Sequence, residues 1–204
     1  MGDPLIDAVR ARALEDAKRG EDPCALGPPV DAETLARAER ILGRRLPSLL
    51  RALLRTVGDG GFGPGLGLLP LFSEGRVTGA DSIVQLYSAF VAPEANVDGS
   101  GSWPEQLVPF CDWGCAIRSC IDCSSDDGAI VTLDAGNWEP GTPRSDVLAR
   151  THPSLRAWVS DWLGGVDIWK LMFEPDPRGT VTGLNPVTRK AMAYQRHRLR
   201  RTDG

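Results

Sequence analysis

No stretch of this 204-residue chain is apolar over the roughly 18 residues that a membrane-spanning helix needs. The opening residues, MGDPLIDAVRARALEDAKRGED, have neither the basic start nor the apolar block of a secretory signal, so a cytoplasmic location is expected. Histidine is scarce, with two in all. His152 reads as the start of a helix just before Pro153, and His197 falls in a basic tail. A cysteine or serine nucleophile needs a nearby base, and neither histidine is placed beside one by the sequence, so no catalytic triad is expected. The five cysteines (Cys24, Cys111, Cys115, Cys120, Cys123) are odd in number. Without a secretory signal they read as reduced thiols, not a disulfide framework.

Four of those cysteines cluster as C-x3-C-x4-C-x2-C, which invites a zinc reading. With Cys115–Cys123 read as one strand, its two ends lie about 26 Å apart, at about 3.3 Å per residue. Tetrahedral zinc needs all its thiolates about 2.3 Å from one point. No metal is therefore expected, and the thiols read as small core residues beside Ile117 and Ile121. Gly58, Gly60 and Gly63 fit G-x-G-x-x-G, but a dinucleotide site needs that motif after a strand and before a helix. Here a helix precedes it and an apolar run follows, so no nucleotide cofactor is expected and the glycines read as a tight hinge.

Charge is uneven. Residues 189–204 hold six Lys/Arg and one acid, leaving 17 basic and 26 acidic residues in 1–188, a balance of −9. An acidic body is a poor general nucleic-acid binder and suits a basic protein partner, although such a surplus also simply aids solubility. The basic tail has no regular aromatics for base stacking.

Hydrophobic spacing predicts helices at 5–19 (Leu5, Ile6, Val9, Leu14), from Asp31 to Gly43 (Leu35, Ala38, Ile41, Leu42) and from Pro47 to Gly58 (Leu49, Leu50, Leu53, Leu54, Val57). Asp31 is the expected N-cap of the second and Gly43 its left-handed stop. Leu66 to Leu71 reads as a strand, and residues 80–91 as a helix capped by Asp81. From Leu107 the period becomes two, giving strands at Leu107–Asp112, Cys115–Cys123 and Ala129–Leu133. Trp113-Gly114 reads as a break and 124–128 as a turn. Residues 137–150 read as a loop, followed by a helix carrying Leu155, Trp158, Val159, Trp162 and Leu163. Val166–Phe173 reads as a short further helix. The adjacent acids Asp126 and Asp127 read as solvated turn residues more than as an acid/base pair.

Three segments, LGRRLPSLLRALLRTVGDGGFGPGLGLLPL (42–71), LVPFCDWGCAIRSCIDCSSDDGAIVTLD (107–134) and SLRAWVSDWLGG (154–165), together resemble the SUKH superfamily. They match its Leu-Pro-opened helix with a Gly-Gly-Phe-Gly-Pro hinge, its central hairpin and its closing helix. The resemblance implies an α+β fold, a mainly antiparallel sheet packed by several helices in a single domain. It divides the chain into an N-terminal helix and linker (1–29), the SUKH-like domain (30–173) and an extended Pro/Gly-containing segment with a basic tail (174–204). Bacterial members of that superfamily are mostly immunity proteins, related to the fungal cell-wall synthesis regulators. The implied function is therefore non-enzymatic. It is neutralisation of a cognate toxin, a basic domain such as a nuclease, by direct protein binding, without cofactor, direct nucleic-acid contact or membrane. The alternative is a regulatory or scaffolding module. The family has no universal catalytic set to carry over. Recognition concentrates in loops, which nominates Trp103, Glu105, Asp126, Asp127, Trp138 and Glu139 as partner-binding residues.

Overall fold

The computed structural model describes residues 2–19, 25–73, 81–92, 102–135 and 147–173. They form a single α+β domain with six helices and a five-stranded antiparallel sheet. In chain order the elements are α1 (Pro4–Arg19), α2 (Ala32–Leu42), α3 (Ser48–Thr56), β1 (Gly67–Leu68) and α4 (Ile83–Val91). Then come β2 (Leu107–Gly114), β3 (Ile117–Asp122), β4 (Ile130–Asp134), β5 (Leu148–His152), α5 (Leu155–Leu163) and α6 (Ile168–Phe173). The strand order in the sheet follows the order in the chain.

Local signals place the first helices. The Asp31 carboxylate accepts from the Thr34 amide, and Gly43, at φ 68°, closes α2 by donating to the Arg40 carbonyl. Pro47 stands just before α3, whose Leu50, Leu53 and Leu54 are buried. Two side chains expected on apolar faces are about half exposed instead: Leu14 of α1, where Ala13 is buried in its place, and Ile41 of α2. Ser82, not Asp81, caps α4 by accepting from the Gln85 amide, which leaves Asp81 to an ion pair described below.

Gly58 to Gly65 form the hinge between α3 and the sheet. The Gly61 amide donates to the Leu68 carbonyl and the Leu68 amide to that of Phe62, so the chain doubles back on itself. The same hinge holds the segment before α2, since the Gly27 amide donates to Gly60 and the Asp59 amide to Pro28. Asp59 also accepts from the Leu71 amide.

The sheet differs from expectation in three places, the first being the strand expected over Leu66–Leu71, which is regular only at Gly67–Leu68. Trp113 and Gly114 do not break the chain. β2 runs through Gly114, and the turn is Cys115-Ala116, both at positive φ (49° and 62°). Cys115 is thus an exposed turn residue outside β3, so the single Cys115–Cys123 strand is shorter than read. Residues 148–152, read as loop and helix start, form β5, paired antiparallel with β4. α5 packs on the sheet through Trp158, fully buried, whose ring meets that of Phe110 edge-on at 5.2 Å. Ser154 caps it by accepting from Ala157, and Gly164-Gly165 ends it. α1 packs against α3 and α5, and Arg156 of α5 reaches back to Asp3. The expected extended segment and basic tail at 174–204 lie outside the described residues.

Candidate functional site

β2 begins where β3 ends, with Leu107 opposite Asp122, so one edge of the domain gathers the segment before β2, the β3–β4 turn and the α2–α3 connection. Three of the residues nominated from the sequence meet there. Glu105 is exposed and lies 3.6 Å from the Arg44 guanidinium. Its carbonyl accepts from the Tyr87 hydroxyl at 3.0 Å, while Arg44 lies over the Tyr87 ring. Asp126 accepts from the Ser48 amide at 2.7 Å and from the Ser48 hydroxyl at 2.6 Å. This carboxylate therefore satisfies the start of α3 from 78 positions away in the chain, a job Pro47 cannot do with its own side chain. Those two bonds, with the nearby charges of Arg45 and Arg51, hold the Asp126 carboxyl below the usual carboxylate range. Asp127 is different. Its carbonyl accepts from the Leu155 amide at the start of α5, but its exposed carboxylate has no partner among the described residues.

Trp103 is not a surface anchor. It is 3% exposed, its indole N–H donates to the Leu107 carbonyl at 2.8 Å, and its ring lies 4.6 Å from that of Phe90. A tryptophan in a polar stretch suggests a surface anchor, but this one plugs the core under α4. Trp138 and Glu139 lie outside the described residues.

A second polar cluster sits at the other end of β2 and β3. Asp112 Oδ1 accepts from the Gly114 amide and from Arg118, both at 2.7 Å, and Arg118 also donates to Asp81 at 3.2 Å. Trp113 donates its indole N–H to Ser119 at 2.9 Å. This ties the turn, the hairpin and the start of α4 together. The cluster was not singled out as a site from the sequence, and its bonds are internal.

The four described thiols differ in their surroundings. Cys111 and Cys120 are buried in the sheet, Cys123 is half-buried and Cys115 is exposed. Burial drives the thiol of Cys120 far above the ordinary range and pushes that of Cys123 up to about 12. Thiolates are the nucleophiles, so neither is a reactive group. Among the described residues no three His, Cys, Asp or Glu side chains are placed to share a metal ion.

His152 ends β5 inside the core, 3% exposed. Its Nε2 lies 3.5 Å from a carboxylate oxygen of Asp161 of α5, and neither ring nitrogen has a well-formed hydrogen bond among the described residues. Burial lowers its pKa below 6.5, with the Asp161 charge opposing. A histidine whose folded pKa is depressed adds stability above its unfolded pKa and loses it as pH falls through the folded value. Unfolding by urea should therefore show stability falling as pH drops below about 6.5. His152→Phe, which has no proton to take up, should flatten that part of the curve.

The SMI1/KNR4 family (SUKH-1) model matches residues 29–161, more than half of the chain. The chain belongs to that family. The matched span runs from just before α2 into α5 and takes in the hinge, the five strands and both polar clusters. No curated protein matches the chain significantly. Membership in SUKH-1 supports protein binding as the coarse function, and among the described residues no helix is long and apolar enough to cross a membrane. The hinge and the C-D-W-G hairpin that carried the resemblance are both elements whose atoms are used up in holding the domain together.

Proposed function

We propose that this SUKH-1 protein is an immunity protein, which neutralises a cognate toxin by direct binding and without catalysis. The observation that carries the reading is the family match across the α+β domain. It is supported by the acidic balance of residues 1–188, which favours encounter with a basic toxin domain such as a nuclease through long-range attraction. The contact we assign includes the β3–β4 turn and the neighbouring Glu105. Of these side chains Asp127 is the one with an uncommitted carboxylate.

The test is co-expression with the toxin encoded beside the gene. Restored growth together with a stable pairwise complex is the expected result. Continued arrest, or retention of several housekeeping proteins and no toxin, overturns the reading in favour of a regulatory or scaffolding module.

The turn gives a sharper measurement on that complex. Asp127→Lys should slow association about fivefold at low salt, and the difference should shrink as salt rises. Its melting temperature should stay that of the parent. Asp126→Lys should lower both, because it also uncaps α3. An unchanged association rate for Asp127→Lys would remove the turn from the contact.

A further inference from the structure

β5 is an edge strand, and its last residue is buried. His152 pairs with Ile130, the first residue of β4, and the ladder is irregular beside that pair. Val131 pairs with Arg150, so Thr151 is the extra residue of a bulge. Its hydroxyl reaches the Ile130 carbonyl only at 3.4 Å. Three residues after His152, the Leu155 amide donates to the Asp127 carbonyl at 3.0 Å. Just before it, Ser154 caps α5 by accepting from the Ala157 amide at 3.1 Å. Among the described residues, the joint of β5, α5 and the β3–β4 turn is thus tied by that amide, that cap and a bulged ladder. His152 is the buried side chain at its root.

A neutral imidazole carries one donor and one acceptor, and an imidazolium carries two donors. The charged groups on the neighbouring elements decide whether the second donor can be accommodated. From α5, Asp161 places a carboxylate oxygen 3.5 Å from Nε2, while Arg156 is turned to Asp3. From β5 itself, Arg150 is drawn to Asp122. From β4, Asp134 stands at the end of the strand opposite Ile130. From α6, which packs on β5, Lys170 is exposed, and Asp167 accepts from the Lys170 amide. From the turn, Asp126 is held by Ser48 and Asp127 is exposed. Asp161 is therefore the one carboxylate within ion-pair distance of the ring among the described residues. A small shift brings Nε2–H onto it, but Nδ1–H then has no acceptor there. A charged donor buried without an acceptor is costly. Asp161 is 35% exposed, so the charged ring is better placed by following it toward water.

We propose that His152 is an acid-released latch: on taking up a proton it leaves the core alongside Asp161 and opens the joint of β5, α5 and the β3–β4 turn, while the rest of the sheet stays folded. Burial, acting against the Asp161 charge, keeps the ring neutral in the closed joint, and opening gives it back an ordinary affinity for protons. Falling pH therefore shifts the population toward the open form. The event is local, distinct from unfolding of the whole domain. It does not rest on the toxin reading, but the segment it frees includes Asp127, so under that reading acid also loosens the proposed contact.

The test follows backbone amide exchange and the His152 ring by NMR in the full-length protein, from about pH 7.5 down to about pH 5. Protection factors, which correct for the pH dependence of intrinsic exchange, should fall about tenfold at Leu155 and Ala157, in step with the His152 titration, and should hold across the β2–β3 ladder. His152→Phe should abolish the pH-dependent opening. Asp161→Asn removes a charge that favours the imidazolium, so it should move both the ring titration and the opening to lower pH. That half-exposed position serves where His152→Phe does not fold. Uniform loss of protection over the whole domain, full protection at Leu155 with His152 charged, or a ring that stays neutral to the lower limit would overturn the proposal. So would opening in Asp161→Asn at the parent's pH.

Discussion

Gly60→Ala is expected to cost about 3 kcal/mol or more of folding stability, a large share of what a domain of this kind has. Gly60 has φ 76°, and a Cβ built on it would stand 2.7 Å from the Leu68 carbonyl oxygen, 2.7 Å from the Pro70 nitrogen and 2.8 Å from the Leu69 carbonyl carbon. All three atoms are backbone, so no side chain can swing aside. Relief would have to come from moving β1 off β2 or from opening the hinge. Gly43→Ala is the control. Gly43 has nearly the same backbone angle, φ 68°, but nothing lies within 4 Å of the added carbon. It should cost about 1 kcal/mol, the left-handed penalty alone. Urea unfolding of the two variants separates conformation from crowding. Equal losses would mean that the hinge yields and that its glycines matter only for their angles.

The second large effect is expected at Asp112. Asp112→Ala should cost about 3 kcal/mol, since removing one partner strands a mostly buried charge. Arg118 is 14% exposed and, among the described residues, would keep only Asp81 at 3.2 Å and the Ile117 carbonyl. The Gly114 amide would lose its acceptor at the same time. Asp112→Asn keeps an oxygen for Gly114 and should cost less. Arg118→Met in the Asp112→Ala background should recover part of the loss, because the stranded charge is then gone. A loss under about 1 kcal/mol for Asp112→Ala, or strict additivity in the double variant, would show that the pair is solvated and contributes little.

These two residues also show what could be read in advance. The hinge was legible because its glycines, its Pro and the flanking leucines are contiguous, and the Asp31 cap and Gly43 stop were legible for the same reason. Partners far away in the chain were not. β5 has the sequence Leu-Ala-Arg-Thr-His, without apolar alternation, and becomes a strand because β4 offers it a ladder. The hairpin turn was misplaced by two residues because Gly114 is the usual breaker, whereas Cys115 and Ala116 take the positive angles that Asn-Gly normally supplies. Asp81 and Ser82 are both good caps, and Arg118, 36 or more positions later, decides between them. Trp103 reads as a loop aromatic because its neighbours are polar, yet the Leu107 carbonyl and the Phe90 ring hold it inside. Asp126 and Asp127 look alike in the sequence, and only their partners tell them apart.

That last distinction sets a thermodynamic linkage. A partner that displaces Ser48 from the Asp126 carboxylate draws on the two hydrogen bonds that also order the start of α3. By reciprocity, whatever strengthens the Ser48–Asp126 bonds weakens such a partner's grip by the same factor. A partner that uses Asp127 escapes this coupling. The turn therefore offers two neighbouring charges, one whose use loosens the domain and one whose use leaves it as it was.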